Sequence, residues 1–499
     1  MTYEEIVSGL RDSTYELENE GREVRAGLKE QQDTAAIIER YAWLYSEEAL
    51  AAVGAPVDEE RKRVRGVILY GIVERRTAAQ DDRLATFYAS AEVEVRLRRN
   101  GKGERLPFYS AVAQMAREPD PARREALGEG TYAVMERADE LALERMGTVM
   151  EVLQELGYTS YIDFWSQLKE VDYAPLRAEL ERVADAARAL YRAWVEPRMA
   201  AAGHRFGECP QSHMSFIRGL PEHDPTFTVE RFEPAMRRTF TALELPLFEA
   251  STIHIDLDDR PAKNPRASVW VPDAGREAHL LMRPQGGNHD YSAFLHESGH
   301  ALHFGLTDPS IGWPLANISR SMAYPELWSF LVERIGHEPE WIAETAAVGA
   351  AQAERISADL VGVDLMLFMR YVGKLACELD LYSGDPLDVS RGRALFASGV
   401  SARSGFVYDA RAWQFDRDPG FYSADYLRAW LAQAELEVRL RDRFGERWWA
   451  SREVGEWLRV QWARGCEPEA EQTVAEMGGS PWSGGALLRR LEERLEAAA

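Results

Sequence analysis

A chain of 499 residues, 45% hydrophobic and 28% charged, has the composition of a globular protein with ample material for a large core. Its formal net charge of −23 repels phosphate backbones and anionic lipids, which argues against nucleic acid and membrane surfaces as partners. Cys209, Cys377 and Cys466 are odd in number, far apart and outside any CxxC spacing, so no disulfide framework is expected. The start MTYEEIVSGLRDSTYELENE is acidic and amphipathic, unlike a signal peptide, and no run approaches the roughly 18 apolar residues of a membrane span. A cytoplasmic protein is the expectation.

In chain order, apolar residues at three- and four-residue steps predict helices over 3–50, 58–100, 121–156 and 174–202. Breaks are expected at 157–165 and 201–213. The character changes in STIHIDLD (251–258), RASVWVPD (266–273) and REAHLLMRP (276–284), which are short, β-branched or alternating. They predict a small sheet whose edge strand could hold an extended peptide as one more strand. PQGGN (284–288) leads into Ser292 and an apolar run where a helix begins. Helix is then expected over 326–337, 339–382, 390–398, 422–448, 452–464 and 485–498. An N-terminal helical lobe over 1–205 and a second lobe over 206–499 are the expected division.

The helix after the sheet carries FLHESGHALHFG (294–305). His296 and His300, four apart, present both imidazoles on one helical face, close enough to grip one ion. Glu297 stands beside the first of them, placed to act as general base on a water activated by the metal. A catalytic zinc site needs a third protein ligand and one open position. The next helix, YPELWSFLVERIG (324–336), offers Glu326, with Ser329 and Glu333 on the same face. Glu326 is the expected third ligand, and Glu333 could accept the other N–H of a ligand histidine. His303, one turn past His300, fits support of the ligands better than ligation; taken alone it also suits packing. With 10 histidines, an accidental HExxH occurs in roughly one or two such chains in a hundred.

These residues resemble the zinc oligopeptidases of the thimet oligopeptidase and oligoendopeptidase F type. That family carries H-E-x-G-H-x-x-H and then E-x-x-S-x-x-x-E, matched here by His296, Glu297, Gly299, His300 and His303, then Glu326, Ser329 and Glu333. Arg260, Lys263 and Ala267 resemble the R-x-x-K-x-x-x-A stretch leading into the family's sheet. PGFYSADYLRAW (419–430) resembles its C-terminal helix, whose tyrosines face the scissile carbonyl; here these are Tyr422 and Tyr426. Without the resemblance, both fit aromatic packing at helical spacing. The resemblance implies a mainly α, neurolysin-like zincin fold: two helical lobes around a deep channel, with a small β-sheet beside the HExxH helix. It implies one zinc ion and hydrolysis of short unfolded peptides, with Tyr422 and Tyr426 donating to the oxyanion. The sequence departs from the family where WQFDRDPGFY (413–422) has Asp416 and Arg417 in place of a histidine, Arg417 being a possible substitute donor. Ala429 stands where some members have a third tyrosine.

Two other functions fit the motif. One is a zinc carboxypeptidase of the Taq type, whose His-Pro-Phe and HESQ-type motifs are absent. The other is a helical peptide-binding protein with a structural zinc, for which Glu297 would have no use, since structural sites close with four protein ligands.

Overall fold

The computed structural model describes residues 1–96 and 103–496. The fold is mainly helical, with small sheets. The elements that matter below are, in chain order, α1 (Tyr3–Arg25), α2 (Glu59–Ser90), β1 (Glu92–Arg96), β2 (Gly103–Pro107), α3 (Pro121–Arg137), β3 (Ile253–Asp256), β4 (Ser268–Asp273), β5 (Glu277–Leu281), α4 (Asn288–Gly305), α5 (Ala323–Glu333), α6 (Ala350–Tyr382) and α7 (Tyr422–Phe444). No helix among the described residues is long and apolar enough to cross a membrane.

The chain forms two compact units, drawn differently from a division at residue 205. The first comprises Met1–Arg75, His223–Ser357 and Arg428–Leu487; the second comprises Arg76–Glu222, Ala358–Leu427 and Leu488–Ala499. Helices α2, α6 and α7 each begin in one unit and end in the other.

The first unit holds the predicted sheet, in the order β3-β5-β4. β3 pairs with β5 in parallel, and β4 pairs with β5 antiparallel with an irregularity between Trp270 and Asp273. Ala278 and Leu280 of β5 are buried together with Ile253 of β3. A Cβ on Gly305 of α4 would stand 2.3 Å from the Ile253 side chain, so the helix lies directly against this apolar face. The Thr252 hydroxyl donates to the Gly305 carbonyl at 2.7 Å, and the Gly275 N–H donates to that of Phe304 at 2.7 Å. α4 starts at Asn288, four residues before Ser292. Gly286 and Gly287, at φ 85° and 91°, make the turn. The Asp224 carboxylate then accepts from the Asn288 N–H at 3.0 Å.

α1 runs beside β4. Glu18 accepts from the Val271 N–H at 2.8 Å, Arg11 pairs with Asp273 at 2.7 Å, and Gly21 leaves room for the Trp270 ring. The edge of β4 at Val271 is therefore taken by a side chain of α1.

In the second unit the helix expected over 58–100 ends at Ser90. β1 pairs antiparallel with β2, with Val93 and Val95 turned into the core. Residues 97–100 of that expectation lie outside the described residues. The expected break at 157–165 is partly helix, because Ser160 caps Tyr161–Lys169 by accepting from the Asp163 N–H at 3.0 Å.

Candidate metal centre

The first unit assembles the candidate ligands on two adjacent helices. Gly299 of α4 faces the backbone of α5: an added Cβ would lie 2.5 Å from the Ser329 Cα and 2.6 Å from the Trp328 carbonyl oxygen. Only glycine permits this approach, which sets Glu326 against the imidazoles of His296, about one turn before Gly299, and of His300, the residue after it. His296 Nε2 stands 3.3 Å and His300 Nε2 3.6 Å from Glu326 Oε2. These three residues are grouped as candidate ligands for one ion. Two atoms held 2.0–2.1 Å from a shared ion at the tetrahedral angle are about 3.4 Å apart, so the spacing suits zinc.

Supporting hydrogen bonds fix which atoms face inward. Glu333 Oε2 lies 2.9 Å from His296 Nδ1, and Glu333 Oε1 accepts from the Ser292 hydroxyl at 2.6 Å. With Nδ1–H donating to Glu333, the neutral ring turns the Nε2 lone pair toward Glu326. The Ser329 hydroxyl donates to Glu326 Oε2 at 2.9 Å. Two lone-pair-bearing atoms facing each other at 3.3 Å repel unless a cation or a proton lies between them. The electrostatics express the same demand. Burial raises the Glu326 carboxyl, but the neighbouring imidazoles of His300 and His296 outweigh it and hold it below the usual carboxylate range. Burial opposes charge on His296, yet hydrogen bonds to Glu326 and Glu333 hold its pKa well above the ordinary value. Zinc meets both demands without a proton. His300 Nδ1 is a buried nitrogen without a hydrogen-bond partner.

Glu297 is half-buried next to His296, and no described residue gives its carboxylate a hydrogen bond. His303 is fully buried. Its Nε2 pairs with the Gly465 carbonyl at 2.8 Å, and its ring packs by Tyr324 and Trp328. Burial pushes its pKa down to about 3. It thus ties α4 to the 465 turn and makes no hydrogen bond to a ligand side chain.

Tyr422, Tyr426 and Arg417 belong to the second unit. Tyr422 and Tyr426 are half-buried, with ring centroids 4.8 Å apart and edge-on, and the Tyr426 ring packs tilted against Tyr371 at 5.6 Å. The turn before them is tightly held. Asp418 accepts from the Ser423 N–H at 3.0 Å and from the Lys374 ammonium at 2.6 Å, while Gly420 and Phe421 take φ of 64° and 55°. The Arg417 guanidinium lies 5.4 Å over the Trp413 ring and lines a small cavity with Lys374, Glu378 and Asp416. Arg417 is half-buried, and its Nη1 has no hydrogen-bond partner.

Sequence reasoning missed Ser292, whose spacing of four before His296 was the available signal. It also missed a cluster in the second unit, where His204 Nε2 and His213 Nε2 lie 2.9 Å and 3.3 Å from Glu125 Oε1. Arg124 Nε donates to His213 Nδ1 at 3.0 Å. A guanidinium only donates, so His213 carries its proton on Nε2 and has no lone pair for a metal. This group is a hydrogen-bonded knot.

No protein-family model matches the sequence, and no curated protein does. Solved structures do resemble it. A provisionally named oligoendopeptidase F from Bacillus anthracis str. Ames aligns with a TM-score of 0.61 at 14% identity, covering 90% of this chain and 80% of that one. A provisionally named peptidase from Chlamydophila abortus aligns with a TM-score of 0.64 at 11% identity, covering 99% and 89%. At such identities the likeness carries the fold alone: the chain has a mainly helical, oligoendopeptidase-like peptidase fold.

Proposed function

We propose that this protein is a zinc-dependent metallopeptidase, an oligoendopeptidase cutting peptide bonds in short unfolded peptides. The observation that carries the proposal is the convergence of His296 Nε2, His300 Nε2 and Glu326 Oε2 at 3.3 and 3.6 Å, with Glu333 fixing the tautomer of His296. The motif resemblance and the shared peptidase fold support it.

His296, His300 and Glu326 would hold the ion. Bound there, zinc supplies a Lewis acid and lowers the pKa of a water toward about 7. The Glu297 carboxylate takes a proton from the attacking water as the new C–O bond forms. It then delivers that proton to the amine nitrogen as the C–N bond breaks, and ends the cycle ionised as it began. The phenols of Tyr422 and Tyr426 are assigned, from the motif, as hydrogen-bond donors to the oxyanion.

Glu297→Gln tests the assignment. Elemental analysis is expected to find one zinc per chain in both proteins, with peptide cleavage by the variant reduced by about 10²-fold or more. Wild-type turnover in the variant, or no zinc in the wild-type protein, would overturn it.

A further inference from the structure

The C-terminal turn of α1 brings a cation toward Glu297. Its packing is fixed by main-chain contacts. The Asn264 N–H donates to the Arg25 carbonyl at 3.0 Å, Arg260 Nε donates to that of Ala26 at 3.0 Å, and Gly27, at φ 68°, closes onto the backbone of Ala262 and Lys263. Glu18, Gly21 and Arg25 share one face of α1. With Glu18 on Val271 and Gly21 on Trp270, Arg25 comes to the start of β4, where Arg266 lies. Arg25 is within electrostatic reach of both Arg266 and Glu297, and burial together with Arg266 holds it below the usual guanidinium range.

Neither guanidinium has an acidic partner within ion-pair distance among the described residues. Arg25 Nε is buried with no hydrogen bond, and Arg266 is exposed. The neighbouring cations are all matched: Lys263 to Asp256 at 2.7 Å, Arg260 to Asp258 at 2.9 Å, Arg11 to Asp273 at 2.7 Å and Lys29 to Glu20 at 2.7 Å. In a chain with 82 acidic and 59 basic residues, two neighbouring arginines without an ion-pair partner offer free guanidinium donors to an anion. The charge of the molecule sharpens this. A net −23 disfavours acidic peptides in general, so a local positive pair within electrostatic reach of the candidate base favours docking of a peptide carboxylate there.

We propose that Arg25 and Arg266 form a subsite for a carboxylate of the peptide substrate, a deepening that rests on the peptidase function above. The carboxylate could be the peptide's C-terminus or an acidic side chain, and peptide design separates the two.

The test compares zinc-loaded wild type, Arg25→Gln, Arg266→Gln and the double variant. The substrates are an octapeptide with a free C-terminus, its C-terminal amide, and an amidated pair with Glu or Gln at each position in turn. Wild type is expected to favour one carboxylate-bearing peptide over its neutral twin by about 10–100-fold in kcat/KM, and the variants to bring that ratio toward one. Preference for the free acid over the amide assigns the C-terminus; preference within a Glu/Gln pair assigns a side chain. Arg266→Gln, on an exposed loop residue, keeps the test alive if Arg25→Gln fails to fold. Equal rates on acid and neutral twins in wild type, or an unchanged ratio in the double variant, overturns the subsite. Fluorescence anisotropy with the same peptides on Glu297→Gln protein separates the two proposals. Carboxylate-dependent binding without any cleavage in wild type would sink the peptidase assignment but keep the subsite. Binding that ignores the carboxylate would sink the subsite alone.

Discussion

Gly299→Ala is the sharpest test of how the candidate ligands are held. The new Cβ would stand 2.5 Å from the Ser329 Cα, 2.6 Å from the Trp328 oxygen and 2.8 Å from the Ser329 nitrogen. All three are backbone atoms, so no side chain can rotate away. Reaching an ordinary contact of 3.4 Å requires α4 and α5 to separate by roughly 0.9 Å. His296 and His300 ride on α4 and Glu326 on α5, so the separation enters the ligand spacing directly. Metal sites tolerate about 0.2 Å in their bond lengths. The expected result is a loss of zinc affinity of about 100-fold or more, with overpacking costing about 1–3 kcal/mol of stability. Competition against a chromogenic chelator reads the affinity, and circular dichroism reads the helix content and Tm. Gly147→Ala is the control: nothing lies within 4 Å of its added Cβ, and zinc affinity should not change. If Gly299→Ala keeps its helix content and binds zinc within about threefold of wild type, the close approach of the two helices does not gauge the site, and the reasoning fails.

Two further outcomes are expected. Glu378 is buried in the second unit, and burial raises its carboxyl to about 8 despite the ammonium of Lys374. Between about 4.5 and about 8 the folded state holds a proton that the unfolded state has lost, so stability falls as pH rises through that window. The linkage is worth up to about 5 kcal/mol at about 1.4 kcal/mol per pH unit. Glu378→Gln should therefore flatten the pH dependence of Tm across that window, and an unchanged slope would count against the buried carboxyl. Tyr422→Phe and Tyr426→Phe are expected to retain zinc while one of them lowers kcat by about 10²–10³-fold; full activity in both would remove the phenols from the reaction.

The sequence carried the chemistry further than the architecture. The HExxH helix, the shared face of Glu326, Ser329 and Glu333, and the three short strands before them were all legible, because each rests on local spacing. The β1–β2 hairpin was not. Glu-Val-Glu-Val-Arg alternates with period two, but it directly follows a 32-residue helix, and Val93 and Val95 find their partner strand only beyond residue 102. The two interleaved units left little compositional seam, since three of the crossings between them lie inside α2, α6 and α7, and the short GLPEHDP stretch (219–225) at the Glu222–His223 crossing resembles many other loops. Contacts such as Glu18 on Val271, 253 positions apart, have no signature in a single sequence.

What singles out the candidate centre is the company its carboxylate keeps. Other buried carboxylates in the first unit are answered by permanent cations: Glu437 and Glu338 face Arg441, Asp273 faces Arg11, and Glu20 faces Lys29. Glu326 is 2% exposed, and its ion-pair partners are the imidazoles of His296 and His300. A permanent cation would stabilise this carboxylate in the way Arg441 stabilises Glu437, and an arginine there would close the site to any ligand. Two imidazoles answer a buried carboxylate only by taking up a proton or by sharing a metal ion with it. Glu333 and Ser292 set which nitrogen does so. They hold one His296 proton on Nδ1, away from Glu326, so that Nε2 is the atom turned to the carboxylate, where a metal ion or a second proton completes the pairing. At neutral pH that arrangement is stable with a divalent ion in place, and zinc removal should lower Tm more in wild type than in Glu326→Gln, where the buried charge is gone.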